Sequence, residues 1–96
     1  MNDGEFEWDD RKAASNRAKH GVRFEIAKEV FDDIFAIEQL DETESYGEDR
    51  FSILGIVDGQ LLYVAYTLRG RSIRIISARG AEPFEHRRYH DQNSQQ

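Results

Sequence analysis

The stretch RFSILGIVDGQLLYVAYTLRG, residues 50–70, restricts the fold of this chain more than any other. Two runs rich in β-branched and aromatic residues flank Asp58-Gly59, the pair selected by a two-residue type I′ turn because both central residues take positive φ. The chain therefore doubles back at that point. Leu68-Arg69-Gly70-Arg71 makes a second tight turn, and residues 72–78 follow as a further strand, so an antiparallel meander is expected. Strand alternation puts Tyr63, Ala65, Thr67 and Arg69 on one face and Leu62, Val64, Tyr66 and Leu68 on the other. In the last strand the same alternation groups Ile73, Ile75, Ser77 and Arg79 against Arg74, Ile76 and Ala78.

Upstream of the meander the period changes. Glu5-Phe6-Glu7-Trp8 alternates as a short strand with Phe6 and Trp8 on its inner side. Asp9 offers an N-cap oxygen to a helix that runs through Lys19, and Gly21 supplies the left-handed residue that stops it. Phe24, Ala27, Lys28 and Phe31 then fall at i, i+3, i+4 and i+7, which predicts a second helix carrying only the methylene stem of Lys28 in its apolar stripe. Phe35 and Ile37 read as a strand, and residues 41–49 as an acidic, turn-prone stretch. Pro83 opens a terminal helix through Phe84, Arg87, Arg88 and Tyr89, and the polar tail 91–96 is expected to fray. The order β-α-α-β-β-β-β-α is that of an α+β fold. Two N-terminal helices and a C-terminal helix pack on a mainly antiparallel sheet of four to five strands.

Length and charge narrow the function classes. Ninety-six residues suit one domain, 1–96, with one modest core, ordered over about 5–90. The absence of cysteine removes disulfides and thiolate metal sites. No apolar run approaches the roughly 20 residues of a membrane span, and the N-terminus is acidic, so a cytoplasmic protein is expected. The formal charge is −6, but it is unevenly distributed. Residues 32–49 hold Asp32, Asp33, Glu38, Asp41, Glu42, Glu44, Glu48 and Asp49 and no Lys or Arg, whereas residues 69–79 hold Arg69, Arg71, Arg74 and Arg79 and no acid.

Two guanidinium groups near the ends of an apolar strand need an explanation, because arginine cannot be neutralised on burial. Arg74 and Arg79 either pair with the protein's own acids, such as Glu48 or Asp49, or clamp phosphate oxygens in bidentate fashion. At the end of the first helix, Lys19-His20-Gly21 either complements the helix dipole or places a proton-transfer group beside a phosphate. Tyr46, Tyr63, Tyr66 and Tyr89 are candidates for base stacking, although a strand tyrosine is more often core with its hydroxyl at the rim. No spacing of His, Asp or Glu suggests a metal site, and no Gly-rich phosphate loop follows a strand.

Taken together, FEWDDRKAASNRAKHGVRFEIAKEVFDD, YGEDRFSILG, YVAYTLRG and IRIISARGA followed by RRY resemble the BrnT family, toxins of bacterial type II toxin–antitoxin systems. The resemblance runs from Phe6 to Tyr89. It implies a fold similar to the RelE and ParE toxins and a metal-independent, cofactor-free endoribonuclease that shuts down translation. It also implies neutralisation by a BrnA-type ribbon-helix-helix antitoxin in a heterotetramer that reaches operator DNA only through the antitoxin.

Carried over residue by residue, the resemblance implies that Lys19, His20, Glu48, Arg74, Arg79 and Tyr89 belong to the catalytic group. Arg50, Thr67, Arg69 and Ser77 would contact RNA, and Asn16 and Tyr46 share the same polar signature. The implied reaction is attack of a ribose 2′-OH on the adjacent phosphorus. Arg74 and Arg79 would sit on the phosphate, Lys19, His20 and Glu48 would handle protons or charge, and Tyr89 would stack or orient. Departures from the family pattern are Leu68 in place of an acid, Glu82-Pro83-Phe84 in place of a basic cluster, and Arg23 at a helix cap. The alternative expectation is a non-catalytic module of the same fold that inhibits a protein such as gyrase or only assembles with its antitoxin.

Overall fold

The computed structural model describes residues 5–41 and 49–94. Its strands are β1 (Phe6–Glu7), β2 (Ile37–Asp41), β3 (Arg50–Val57), β4 (Gln60–Arg69) and β5 (Ser72–Gly80), and its helices are α1 (Asp10–His20), α2 (Phe24–Ala27) and α3 (Pro83–Asn93). The sheet order is β1-β5-β4-β3-β2, so the fold is α+β.

The local signals act as their chemistry demands. Asp58 and Gly59 have φ of 49° and 80°, the type I′ pair that joins β3 to β4. The Asp9 carboxylate accepts from the backbone N–H groups of Arg11 and Lys12 at 2.8 and 3.1 Å, and Gly21, at φ 72°, closes α1 by donating to the Arg17 carbonyl.

The structure departs from the sequence pattern in three elements. The sheet is mixed, because β1 pairs in parallel with β5, Phe6 opposite Ile73 and Glu7 opposite Arg74. Alternation reports which residues share a face and carries no information on strand direction. The helix expected through Phe31 breaks after Ala27 into a 3-10 turn, Lys28–Asp32. Phe24, Ala27 and Val30 are all fully buried, and the tighter 3-10 turn brings Val30 more directly into line with Ala27 than a continued α-helix would. That turn presses on β3 where Gly55 leaves room: a Cβ there would lie 2.6 Å from Val30 Cγ2. Finally, α3 continues through Asp91 to Asn93, into the polar segment expected to fray, with the Asn93 amide donating to the Tyr89 and Phe35 carbonyls.

The helical layer covers the sheet face carrying Ile53, Leu62, Val64, Tyr66, Ile75 and Ala78, which form the main core with Trp8, Phe24 and Val30. A smaller cluster of Ile37, Leu54, Leu61 and Tyr89 lies on the other face, where α3 packs over one end. The rest of that second face has no helix on it among the described residues.

Candidate nucleic-acid interface

The register of the sheet decides which side chains meet on the uncovered face. Asp41, Arg50, Thr67, Arg74 and Glu7 are successive cross-strand partners, one row running over all five strands. The next row toward α3 is Ser52, Ala65 and Ser77, and the one after it Leu54, Tyr63 and Arg79. Rows on one face stand about 6–7 Å apart, two residues at about 3.3 Å each. The small side chains of the middle row therefore floor a strip walled by guanidinium groups on both sides.

A β-bulge makes this possible. Between the Ala65 to Ser77 pair and the Tyr66 to Ile75 pair, Ile76 is an extra residue in β5. The inserted residue reverses the alternation, so Arg74 joins Ser77 and Arg79 on one face while Ile75 and Ala78 enter the core. The grouping expected from simple alternation, with Arg74 opposite Ser77 and Arg79, is corrected by that one residue.

The edge of β5 beyond β1 is closed by a side chain. The buried Asn16 of α1 accepts from the Ala78 N–H at 3.0 Å and donates to the Ala78 and Val22 carbonyls at 2.8 and 3.1 Å, replacing a neighbouring strand. This contact sets Lys19 and His20, both exposed at the α1 C-terminus, beside the bulge. With Lys12, Ser15, Ile76 and Ser77 they line a shallow cavity of about 200 Å³. Ser77 belongs both to this cavity and to the middle row of the sheet.

The two central arginines differ in how they are held. Arg74 Nη1 donates to Glu7 Oε2 at 2.7 Å, with 27% and 21% of the two side chains exposed. Arg79 donates through both terminal nitrogens to Glu85, at 2.7 and 3.0 Å, and lies 4.3 Å from the Tyr63 ring centroid. The Glu85 side chain is 2% exposed, and its Oε1 also accepts from the Glu82 N–H that begins α3, at 2.8 Å. Burial pushes the Glu85 carboxyl up, but the Arg79 fork and the Glu82 N–H outweigh it and hold it below its ordinary value. The bond to Glu85 in turn raises Arg79.

Magnitudes separate the two pairs. A partly exposed ion pair is worth about 0–1 kcal/mol, whereas stripping one partner from a buried pair costs about 3–5 kcal/mol. A phosphate can displace Glu7 from Arg74; it cannot readily displace Glu85 from Arg79. The acid partners expected for Arg79 were Glu48 or Asp49, and Glu85 takes that place. Its signal was the Glu82-Pro83-Phe84-Glu85 spacing of a capping box, with the acceptor three residues inside the helix.

The remaining expected site residues divide. Thr67 is buried and its hydroxyl donates to the Asp49 carbonyl at 2.6 Å, so it secures the entry to β3. Arg50 and Arg69 sit on the uncovered face at register positions opposite Thr67 and Ser72. Tyr89, on α3, is buried, and its hydroxyl donates to Asp33 Oδ2 at 2.7 Å, which ties it to the turn before β2. Burial, reinforced by Asp33, pushes its hydroxyl up to about 12. Tyr66 is core with its hydroxyl bonded to Glu38, and burial raises it further. Glu48 and Tyr46 lie outside the described residues. Among the described residues no group of three His, Asp or Glu is placed to share a metal ion.

The assembled surface offers guanidinium donors above a strip of small hydroxyl-bearing residues, with an imidazole and an ammonium at one end. It is chemically suited to a phosphodiester backbone. No curated protein matches the chain. A family model described as ribonuclease toxin, BrnT, of type II toxin-antitoxin system matches residues 8–85.

Proposed function

From the premise that this chain belongs to the BrnT family of type II toxin–antitoxin ribonuclease toxins, we propose that it is a metal-independent endoribonuclease whose substrate lies across the uncovered face of the sheet. The observation that carries this is the single-residue bulge at Ile76, which puts Arg74 on the same face as Ser77 and Arg79 and within the row of Arg50.

In this reading the phosphate at the cleavage point is held by Arg74, released from Glu7, with Arg50 and Arg69 contacting the flanking backbone. Arg79, tied to Glu85, positions the far wall and adds charge. The ribose 2′-OH attacks phosphorus and the P–O5′ bond breaks, which leaves a cyclic 2′,3′-phosphate and a 5′-hydroxyl. His20 and Lys19, beside Ser77, are the groups proposed to move protons and to stabilise the charge that builds on the phosphoryl oxygens. Glu48 remains a candidate for the same work. Tyr89 is left out of the chemistry.

The fold is taken to be that of the RelE and ParE toxins, in one cytoplasmic domain. The antitoxin is taken to be of the BrnA type, forming a heterotetramer whose ribbon-helix-helix part contacts operator DNA, and the consequence of cleavage is taken to be arrested translation.

The test is end-group analysis of RNA incubated with the purified chain in EDTA, with and without ribosomes. Cyclic phosphate and 5′-hydroxyl ends are expected, lost in Arg74→Ala and His20→Ala while the fold is retained. Intact RNA under both conditions, together with growth arrest that survives both substitutions, refutes the enzyme. Blocked gyrase supercoiling in that case assigns the chain to protein inhibition instead.

A further inference from the structure

The most exposed large apolar side chain among the described residues is Ile34, and two further exposed ones lie beside it. Ile34 is 87% exposed, Phe35 46% and Ile56 38%. Ile34 and Phe35 lie in the turn before β2, although an Ile-Phe pair entering a strand would ordinarily be buried. The turn is held outward by a fixed set of bonds: Asp33 accepts from the Phe35 N–H at 2.9 Å, the Ile56 N–H at 2.8 Å and the Tyr89 hydroxyl, and Asn93 donates to the Phe35 carbonyl at 3.2 Å. An apolar pair presented on a pre-ordered turn loses little conformational freedom when it binds, which is what a hot spot requires.

Phe35 separates two grooves of about 370 and 220 Å³. Glu29, Asp32, Asp33 and Asp58 line the first and Glu38 the second, and no Lys, Arg or His lines either. Such a surface repels a nucleic acid backbone and attracts a cationic one. It lies past the end of the proposed RNA strip: Ile56 is one row beyond Leu54, about 6–7 Å, and six residues along β3 from Arg50, about 20 Å.

We propose that the Ile34/Phe35 surface docks a cationic segment of a partner protein, in which lysines or arginines flank an apolar side chain. The apolar side chain packs against Phe35 and Ile56, and the flanking cations meet Asp32 and Asp58 on one side and Glu38 on the other. The inference goes beyond the ribonuclease reading and stands without it, because none of the arginines of the strip takes part in it.

The test uses the full chain and three fluorescein-labelled synthetic peptides: one with lysines and arginines around a single leucine, one with glutamates replacing the cations, and one with alanine replacing the leucine. Anisotropy reports affinity and amide chemical shifts report location. The cationic leucine peptide is expected to bind saturably and shift the Ile34, Phe35 and Ile56 amides, with the other two at least about tenfold weaker. Phe35→Ala, Ile34→Ala and the charge-neutralised Glu29→Gln/Asp32→Asn/Asp58→Asn chain should each weaken it about tenfold, and Phe84→Ala, an exposed aromatic elsewhere, should not. Ile34→Ala guards against misfolding, because that side chain is almost wholly in water. The proposal is overturned by absent binding, by shifts confined to other residues, by indifference to these substitutions, or by Phe35-dependent self-association in sedimentation, which would make a second copy the occupant.

Discussion

Glu85→Gln isolates the contact that anchors α3 to the sheet. The substitution keeps the side-chain shape and one carbonyl oxygen. It removes the charge and turns one acceptor into a donor facing Arg79 Nη2, which now sits 3.0 Å from Glu85 Oε2. Two charge-assisted hydrogen bonds at about 1.5–3 kcal/mol each are weakened or lost. Arg79 is partly exposed and recovers some hydration, so the net loss should be about 2–3 kcal/mol. For a chain of this size that corresponds to a melting point roughly 10–20 °C lower. Urea denaturation followed by circular dichroism measures the loss directly. A double-mutant cycle with Arg79→Ala and Glu85→Ala should return a coupling of about 1–3 kcal/mol. A Glu85→Gln chain within about 0.5 kcal/mol of the parent, the range of an ordinary surface change, refutes the assignment of Arg79 as a structural cation.

Four further outcomes are expected. Asn16→Ala leaves the Ala78 N–H and the Ala78 and Val22 carbonyls without their partner, and should cost about 3 kcal/mol in urea titration and speed exchange of the Ala78 amide. Gly55→Ala drives a Cβ to 2.6 Å from Val30 Cγ2 and 3.2 Å from the Val30 carbonyl oxygen, and should lose about 1–3 kcal/mol by overpacking, read from the same titration. Tyr89→Phe should lose about 1 kcal/mol of stability while RNA cleavage persists; a folded but inactive variant would return Tyr89 to the chemistry. On acidification, Asp33 and Glu85 set the sign: burial raises both, but hydrogen bonds to the charged forms leave both below their ordinary values of 3.8 and 4.5. Their stabilisation is therefore full above those values and lost as pH falls through the lower folded ones. Urea midpoints followed into acid should fall less steeply for Asp33→Asn than for the parent, and parallel slopes would contradict this.

Much of the architecture is legible in the chain because local backbone preference is a property of a few adjacent residues. Asp58-Gly59 needs no distant partner to adopt positive φ, and Asp9 and Gly21 bound α1 through bonds to residues within four positions. The face carrying Tyr63 and Thr67 follows from alternation alone. Where alternation failed, in β5, a single bulged residue was responsible, and nothing in the composition of RIISARG distinguishes Ile76 from Ile75. Lys19, His20 and Ser77 line one cavity although Ser77 is 57 positions beyond His20, and Tyr89 is tied to Asp33, 56 positions earlier.

By itself, then, the sequence determined the hairpins, the ends of α1, the α+β class and membership of a toxin family matched over residues 8–85. Only the tertiary structure decided the parallel seat of β1, the alignment of Arg74 with Ser77 and Arg79, and the acids that hold each arginine. The physical reason lies in distance along the chain. Turn and cap energies act within a few residues, whereas the Glu7 to Arg74 and Asn16 to Ala78 contacts join groups 67 and 62 positions apart, and many carboxylates and amides could have served until folding selected one.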